Sequence, residues 1–238
     1  MLMTLVMSKN LYLEGVNAWF APNVNQDGIE EKACVDFLAP MIRRRLSPLG
    51  RAVLHSLKPL LGDKPDDNTA FVFASRWGDI TLTEALLNEL KDPEGISPNR
   101  FSTSVHNAIG GQFAIFEHFK GFITALSGGS SSLSAALIEA QALLSQFQTV
   151  YVCFYESRHP SVFSNSDDRG RTFAIALKFR EAQKDEQSLQ VEITPLNKEI
   201  AKKTISPQEA LSAINFFKED SEYWLERESI VQYRWYRK

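Results

Sequence analysis

The sequence has few of the residues that build disulfide frameworks, metal clusters or membrane spans. Of its 238 residues only two are cysteine, Cys34 and Cys153, and four are histidine. Two distant cysteines give neither a disulfide framework nor a metal-ligand spacing, and the histidines lack partners at such a spacing. No segment approaches the ~20 apolar residues of a membrane-spanning helix. We therefore expect no metal site and no membrane span.

An excess of positive charge is also absent, with 26 lysines and arginines against 29 acidic residues and a net charge of -3. Without a basic excess to neutralise phosphates, a nucleic-acid partner is not expected. The apolar run at the N-terminus is too short for a signal peptide, because Lys9 falls where it should continue. The pair Gly110-Gly111 is too short for a dinucleotide fingerprint. We expect a cytoplasmic protein that uses no cofactor.

The order of the predicted elements indicates an α/β fold, and we interpret residues 1–238 as one domain. Strands alternate with helices up to Tyr155 and then follow one another, which predicts a mixed β-sheet flanked by helices. The predicted strands are 11–20, 70–74, 121–126, 149–155, 171–180 and 189–194. The predicted helices are 29–41, the segment with apolar residues from Leu46 to Leu57, 81–90, 133–144 and 207–227, the last with Ser206 as N-cap. Residues 156–170 are expected to form a polar surface excursion, and the tail from residue 228 either a last strand or a docking segment.

The chain is organised around residues 97–144. A Ser-Pro opening, an extended run and the Gly110-Gly111 pair lead into an amphipathic segment and a short strand. A turn of glycines and serines at 127–132 then precedes a helix. Strand, tight turn and helix are the layout of a nucleophile elbow, which lifts one side chain to a helix N-terminus that favours negative charge. The lifted residue here is most simply Ser130.

This stretch resembles the N-terminal half of the β-ketoacyl-ACP synthases, which share the thiolase fold. The similarity runs without gaps from the SVHNAIGG segment, through Lys120-Gly121, to the elbow. Upstream, the FVFASRWGDI segment looks like the strand end that borders the acyl pocket in those enzymes. The resemblance covers residues 43–180 and implies a layered, thiolase-like fold made of one ketosynthase-type half.

Two departures from the family change the function that the resemblance implies. Ser130 stands where a ketosynthase carries its nucleophilic cysteine, and the chain ends before the second half that supplies two catalytic histidines. This pattern is similar to that of the short chain length factors of aryl polyene pathways. The resemblance therefore implies a non-catalytic subunit that pairs with an active β-ketoacyl-ACP synthase. Such a subunit would complete the acyl tunnel and limit chain growth, with Trp77 and Phe101 as bulky stops.

Two alternatives remain open beside the chain length factor. Ser130 could serve as the nucleophile of an acyltransferase or thioesterase, with His106, His118 or His159 as base and Asp167 or Asp168 as orienting acid. The order of residues found in α/β-hydrolases is not met, because no histidine follows those aspartates. If Ser130 is not a nucleophile, the simpler interpretation is that it caps the N-terminus of the helix 133–144. The second alternative is a scaffold that only stabilises its partner.

The phenylalanines Phe113, Phe116, Phe119 and Phe122 recur every three residues, which predicts an aromatic stripe on a helix. Such a stripe serves the core or a subunit interface, and large aromatic side chains often anchor interfaces. In the resembling enzymes His106 lies at the subunit interface. We therefore predict a partner interface formed by His106, Asn107, Phe113, Phe116 and Phe119.

A run of arginines, Arg43 to Arg45 with Arg51, could bind an acyl carrier protein, whose surface is acidic. The simpler interpretation is the solvated start of a helix, because short charge runs usually lie at the surface. The sequence does not decide between these two interpretations. It also leaves open the identity and length of the acyl chain and the stoichiometry of the complex.

Overall fold

A computed structural model describes residues 10–22, 32–62, 64–91, 95–163, 170–195, 207–218, 221–228 and 231–238. In these ranges eight strands form one mixed sheet in the order β3-β2-β4-β5-β1-β6-β8-β7. The strands are β1 (Leu11–Phe20), β2 (Thr69–Ala74), β3 (Phe122–Leu126), β4 (Thr149–Glu156), β5 (Phe173–Glu181), β6 (Leu189–Pro195), β7 (Tyr223–Glu228) and β8 (Val231–Arg237). The helices are α1 (Pro40–Arg45), α2 (Pro48–Leu61), α3 (Ile80–Glu89), α4 (Pro98–Ser102), α5 (Ala108–Phe116), α6 (Ser132–Leu143) and α7 (Pro207–Phe217).

The sheet is parallel at one end and antiparallel elsewhere. Strand β2 pairs in parallel with both β3 and β4, whereas the remaining pairs are antiparallel. The helices α3 to α6 lie between successive parallel strands, as crossover connections require. The mixed sheet predicted from the sequence is therefore confirmed.

Helices cover both faces of the central strands. Along β2, Val72 belongs to one hydrophobic core with α6, whereas Phe71 and Phe73 belong to a second core with α2 and α5. Because successive side chains of a strand point to opposite faces, a strand buried on both sides must be apolar throughout. Strand β2 is buried along its whole length, as the sequence predicts.

Three predicted elements differ from the structure, and proline explains two of them. Residues 33–39 are not helical; Pro40 begins α1 instead of ending a longer helix. Pro98 likewise begins α4, so the predicted extended run after it is wrong. Proline fits the first turn of a helix because the amide hydrogen that it lacks has no partner there. The predictions for residues 23–31 and for the Ser206 cap lie outside the described residues.

The third difference is at the C-terminus, where the predicted helix 207–227 ends ten residues early. Strands β7 and β8 form an antiparallel hairpin, with Trp224 paired to Trp235 and both indoles buried. Alternating exposed and buried residues with large aromatics favour a strand once a partner strand is available. The tail is thus a final strand, as one of the two interpretations predicted.

Candidate functional site

The candidate site lies at the sheet edge where the three parallel strands end. Strand β3 leads into the elbow turn, β2 into residues 75–79, and β4 into Ser157. Ligand sites of α/β proteins commonly form at the carboxyl ends of parallel strands. The topology therefore brings Ser130 and Trp77, two of the predicted site residues, to the same edge.

The predicted elbow is confirmed: β3, a 3-10 turn at Gly129–Ser131 and α6 follow in order. Gly129 has a φ of 63°, a conformation that favours glycine. The Ser132 hydroxyl closes the turn, because it accepts from the Gly128 amide at 3.1 Å and donates to the Gly129 carbonyl at 2.7 Å. Half-buried Ser130 lies within this turn, and the N-cap position of α6 is Ser131, one residue later than predicted.

The C-terminal hairpin occupies the start of α6. The Ser134 amide donates to a carboxylate oxygen of Glu226 on β7 at 2.9 Å. The buried indole of Trp235 on β8 donates to the Ser134 hydroxyl at 2.9 Å. A carboxylate is stabilised there by the partial positive charge of the helix N-terminus. Sequence reasoning missed this contact because it extended a helix over β7.

Neither thiol lies at the elbow. Cys153 is buried within β4, and burial raises the pKa of its thiol far above the ordinary range. Cys34 precedes α1, and its thiol donates to a carboxylate oxygen of Asp36 at 3.1 Å. A thiol that cannot ionise is a poor nucleophile.

The candidate histidines contact other groups or end a helix. His106 lies 2.8 Å from the Ser75 carbonyl through Nε2. The half-buried His159 packs edge-on against Trp77, with 6.4 Å between ring centroids, and burial followed by the Arg76 charge lowers its pKa. His118 follows the end of α5 with a φ of 52°. Asp167 and Asp168, the proposed acids, lie outside the described residues.

Residues 75–79, the Trp77 loop, connect β2 to α3. Gly78 has a φ of 62°, and its amide donates to the Ser75 hydroxyl at 2.8 Å. The Arg76 carbonyl accepts from Ser127 of the elbow at 3.1 Å. Trp77 itself is 48% exposed, and the Arg76 guanidinium lies 4.9 Å from its ring centre. Hydrogen bonds to its main-chain atoms thus fix the loop, while the Trp77 indole stays accessible to solvent.

A buried carboxyl group supports the Trp77 loop, and sequence reasoning missed it. Glu156 ends β4 and is buried, although the sequence predicted that a surface excursion begins there. Its Oε1 atom accepts from the Arg76 amide. Burial raises the pKa of Glu156 to about 7, although this hydrogen bond opposes the rise. A signal was available, since the residue directly follows the apolar run from Val150 to Tyr155.

The predicted helical stripe of phenylalanines is wrong, because α5 ends at Phe116. Phe113 and Phe119 are buried, with their ring centroids 4.5 and 5.0 Å from that of Phe71. Phe116 is half-buried, and Phe122 is on β3, 40% exposed. The core interpretation therefore holds for Phe113 and Phe119. Because both are buried, they could contribute to an interface only by packing under the side chains that contact the partner.

The other predicted interface and tunnel residues surround the start of α5. Asn107 is exposed at the N-cap position of α5, and Phe101 on α4 is 58% exposed. The neighbouring Val105 and Ile115 are also exposed. Together with β3 at the edge of the sheet, they leave an apolar surface around α4, α5 and β3.

A groove of about 700 Å³ between α1 and the α4–α5 segment is lined by Arg44, Arg45 and Arg100. Its lining also includes apolar side chains such as Ile115 and Phe116, and no acidic residue among the described ones. Of the predicted arginine cluster, Arg43 pairs with Asp36 and Arg51 donates to the Arg43 carbonyl. Within the described ranges Arg44 and Arg45 have no ion-pair partner.

Comparison with known families decides what this arrangement is. Residues 17–236 match the family described as the N-terminal domain of β-ketoacyl synthases. The chain belongs to the β-ketoacyl synthase family. The predicted family and thiolase-like fold class are confirmed.

Three solved structures of ketosynthase systems share this fold. The first is a ketosynthase (ApeO) in complex with its chain length factor (ApeC) from Xenorhabdus doucetiae, with a TM-score of 0.76, 22% identity and coverage of 95% of this chain and 99% of that one. The second is the ishigamide ketosynthase/chain length factor, with a TM-score of 0.63, 15% identity and coverage of 88% and 73%. The third contains a type II PKS acyl-carrier protein in complex with its ketosynthase bound to the hexaketide, with a TM-score of 0.61, 14% identity and coverage of 74% and 63%.

These identities show a common fold alone. The chain spans nearly the whole of the first matched chain but about three quarters and two thirds of the other two. No curated protein matches the sequence. Among the described residues, no cluster of histidine, cysteine and acidic side chains could hold a metal ion, and no helix is long and apolar enough to cross a bilayer.

Proposed function

We propose that this ketosynthase-like chain is a non-catalytic chain length factor that pairs with an active β-ketoacyl-ACP synthase. It completes the wall of the partner's acyl tunnel and limits the length of the polyene or fatty-acid-like product. The observation that carries the proposal is the elbow formed by β3, the turn at Gly129–Ser131 and α6, which holds Ser130 and neither cysteine of the chain. In this proposal Ser130 takes the position of the family's nucleophilic cysteine. Cys153, the cysteine nearest to Ser130 in sequence, is buried within β4, and burial raises the pKa of its thiol.

The charge at the start of α6 supports a non-catalytic role. A condensing enzyme uses the helix N-terminus to favour a thiolate or a developing oxyanion. Here the amide of Ser134 already binds the Glu226 carboxylate. A second negative charge beside this carboxylate would be repelled, so the arrangement disfavours covalent acyl transfer.

The surface around α4, α5 and β3 supports a protein partner. Strand β3 lies at the edge of the sheet, and an edge strand can pair with a strand of another chain. Exposed Phe101, Val105 and Ile115 lie on the same part of the chain as Asn107 and Phe116. In this proposal His106, Asn107 and Phe116 contact the ketosynthase, while Phe113 and Phe119 support them from the core. The first matched structure is likewise a ketosynthase in complex with its chain length factor.

The basic rim of the groove offers a place for the acyl carrier protein. Arg44 and Arg45 line it, and neither has an ion-pair partner among the described residues, whereas Arg100 pairs with Glu89. The two unpaired arginines favour an acidic partner surface. The apolar wall of the groove, formed in part by Ile115 and Phe116, continues into the proposed ketosynthase interface. A carrier protein bound at the arginines would therefore lie beside the proposed ketosynthase interface.

The serine acyltransferase is the second candidate, favoured by the position of Ser130 in an elbow before a helix. The experiment that separates the two compares wild type with Ser130→Ala in the reconstituted complex, using acyl and malonyl carrier-protein substrates. We expect the isolated chain to be inactive in condensation, and the variant complex to retain activity within a few fold. Ser145→Ala, at an exposed position after the same helix, is the matched control.

A drop of about a hundredfold in the Ser130→Ala complex, with the control unchanged, would instead assign covalent or acid-base chemistry to Ser130. A scaffold that only stabilises its partner would also tolerate Ser130→Ala. It is distinguished by product length, since a scaffold leaves the length unchanged when tunnel residues are replaced.

A further inference from the structure

The position of Trp77 is fixed by its loop more than by burial of its side chain. The indole is 48% exposed, so packing restrains it weakly. Several hydrogen bonds hold the main chain of the loop. The Ser75 amide donates to the Leu126 carbonyl at 3.3 Å, and His106 binds the Ser75 carbonyl. Ser127 donates to the Arg76 carbonyl, and Glu156 accepts from the Arg76 amide. These contacts come from the end of β3, the start of α5, the elbow and the end of β4.

Glu156 differs from the other contacts because it is a buried acid that accepts from an amide of the loop. It is 4% exposed, and in the described part of the structure its Oε2 atom has no hydrogen-bond partner. An ionised carboxylate accepts a stronger hydrogen bond from an amide than a neutral carboxyl group does. Protonation of Glu156 would therefore weaken the tie to the residue directly before Trp77.

Other ionisable groups lie near this carboxyl, on the loop or against the indole. Arg76 and His159 contact the indole, and burial raises the pKa of Asp79, at the end of the loop. Tyr155, buried in β4, has a pKa raised by burial and then by the charges of Cys153, Glu156 and Asp79. His106 acts on the loop through the Ser75 carbonyl. Of these groups, Glu156 is the acid whose side chain binds the Arg76 amide.

We propose that Glu156 is a positioning residue: its ionised carboxylate holds the Arg76 amide and thereby sets where the Trp77 indole lies in the acyl tunnel. The part that concerns the tunnel rests on the proposed function, whereas the control of the indole by Glu156 does not. Protonation of Glu156, whose pKa is raised to about 7 by burial, would weaken this one hydrogen bond while the contacts from Leu126, His106 and Ser127 remain.

The test uses the complex with its ketosynthase, labelled with 5-fluorotryptophan and followed by fluorine NMR from about pH 5.5 to about pH 8.5. The resonance that disappears in Trp77→Phe identifies Trp77 among the four tryptophans of the chain and those of the partner. We expect this resonance to shift with a midpoint near pH 7 in wild type and to lose that transition in Glu156→Gln. The Gln variant keeps an acceptor for the Arg76 amide, and Glu139→Gln on α6 is the control for loss of a charge.

Titration of His159 is tested with His159→Gln, which should keep the transition. A wild-type resonance that does not titrate, or a transition that survives Glu156→Gln, would overturn the positioning role. Product length is measured on the same complexes. A transition that depends on Glu156, together with unchanged products in both Trp77→Ala and Glu156→Gln, would support the positioning role while rejecting chain-length control by Trp77.

Longer products in Trp77→Ala, with no transition in wild type and unchanged products in Glu156→Gln, would reject the positioning role and leave the proposed function standing. The account as a whole predicts the Glu156-dependent transition and longer or more dispersed products in Glu156→Gln above pH 7. The reason is that the uncharged amide side chain of Gln holds the Arg76 amide less strongly than the carboxylate does.

Discussion

At the scale of single residues, burial separates side chains that the sequence presents as equivalent. Phe113 and Phe116 follow the same spacing, yet Phe113 is fully buried against Phe71 and Phe73, whereas Phe116 is half-buried beside the groove. Periodicity shows that a residue lies on one face of a helix but not which partner covers that face. The aromatic stripe was therefore predictable as a hydrophobic feature, and its division between core and surface was not.

The neighbouring residues Phe113 and Ile115 provide a residue-scale prediction. Phe113→Ala should lower the free energy of unfolding by about 3–5 kcal/mol, because it removes a fully buried ring and leaves a cavity. Ile115→Ala should change it by less than about 0.5 kcal/mol, since Ile115 is 70% exposed in the chain. Urea unfolding of each variant measures the difference, and equal losses for the two would contradict this description of α5.

At the scale of elements, strands with a strong local pattern were predictable and elements that depend on distant partners were not. Strand β1 matches its predicted bounds, and the elbow followed from its glycines and serines. Strand β7 was missed, and β8 was only one of two interpretations, because the stability of the hairpin comes from pairing and from the contact of Trp235 with Ser134, 101 residues away in sequence. Likewise, the support that Glu156 gives to the Trp77 loop links positions 80 residues apart.

The α4–α5 and β3 surface carries an element-scale prediction about assembly. Phe116→Asp should break the heteromer with the ketosynthase, because a charge placed in an apolar interface is left unpaired. Without its partner, the chain should self-associate or be poorly soluble, since apolar interface surface is exposed. Co-purification with an untagged ketosynthase and size-exclusion chromatography provide the measurement.

Arg44→Glu on the rim of the groove is the matched charge control for Phe116→Asp. It should leave the heteromer intact and slow acyl transfer from the carrier protein, with the defect largest at low salt. A wild-type chain that is a well-behaved monomer with no affinity for any ketosynthase would contradict the assembly proposal.

At the scale of the whole molecule, the chain combines a ketosynthase-type half with a C-terminal hairpin over its elbow helix. The family and the layered fold were predictable from the order of strand, tight turn and helix in the 97–144 stretch, and the family match over residues 17–236 confirms them. The contacts that cover the start of α6 were not predictable. They come from Glu226 and Trp235, which follow the region 43–180 on which the resemblance rests. If the chain lines a partner's acyl tunnel, as proposed, product length is the decisive property of the complex.

The central claim is that this subunit limits chain length sterically, and product length tests it most directly. Trp77→Ala and Phe101→Ala complexes with the ketosynthase are compared with wild type by mass spectrometry of the released acyl chains. Both replaced side chains are about half exposed in the isolated chain, so the substitutions should leave the fold intact. The account predicts products longer by at least one elongation unit at a similar initial rate, because the partner's catalytic residues are untouched. Products of unchanged length from both variants, with the heteromer intact, would contradict it.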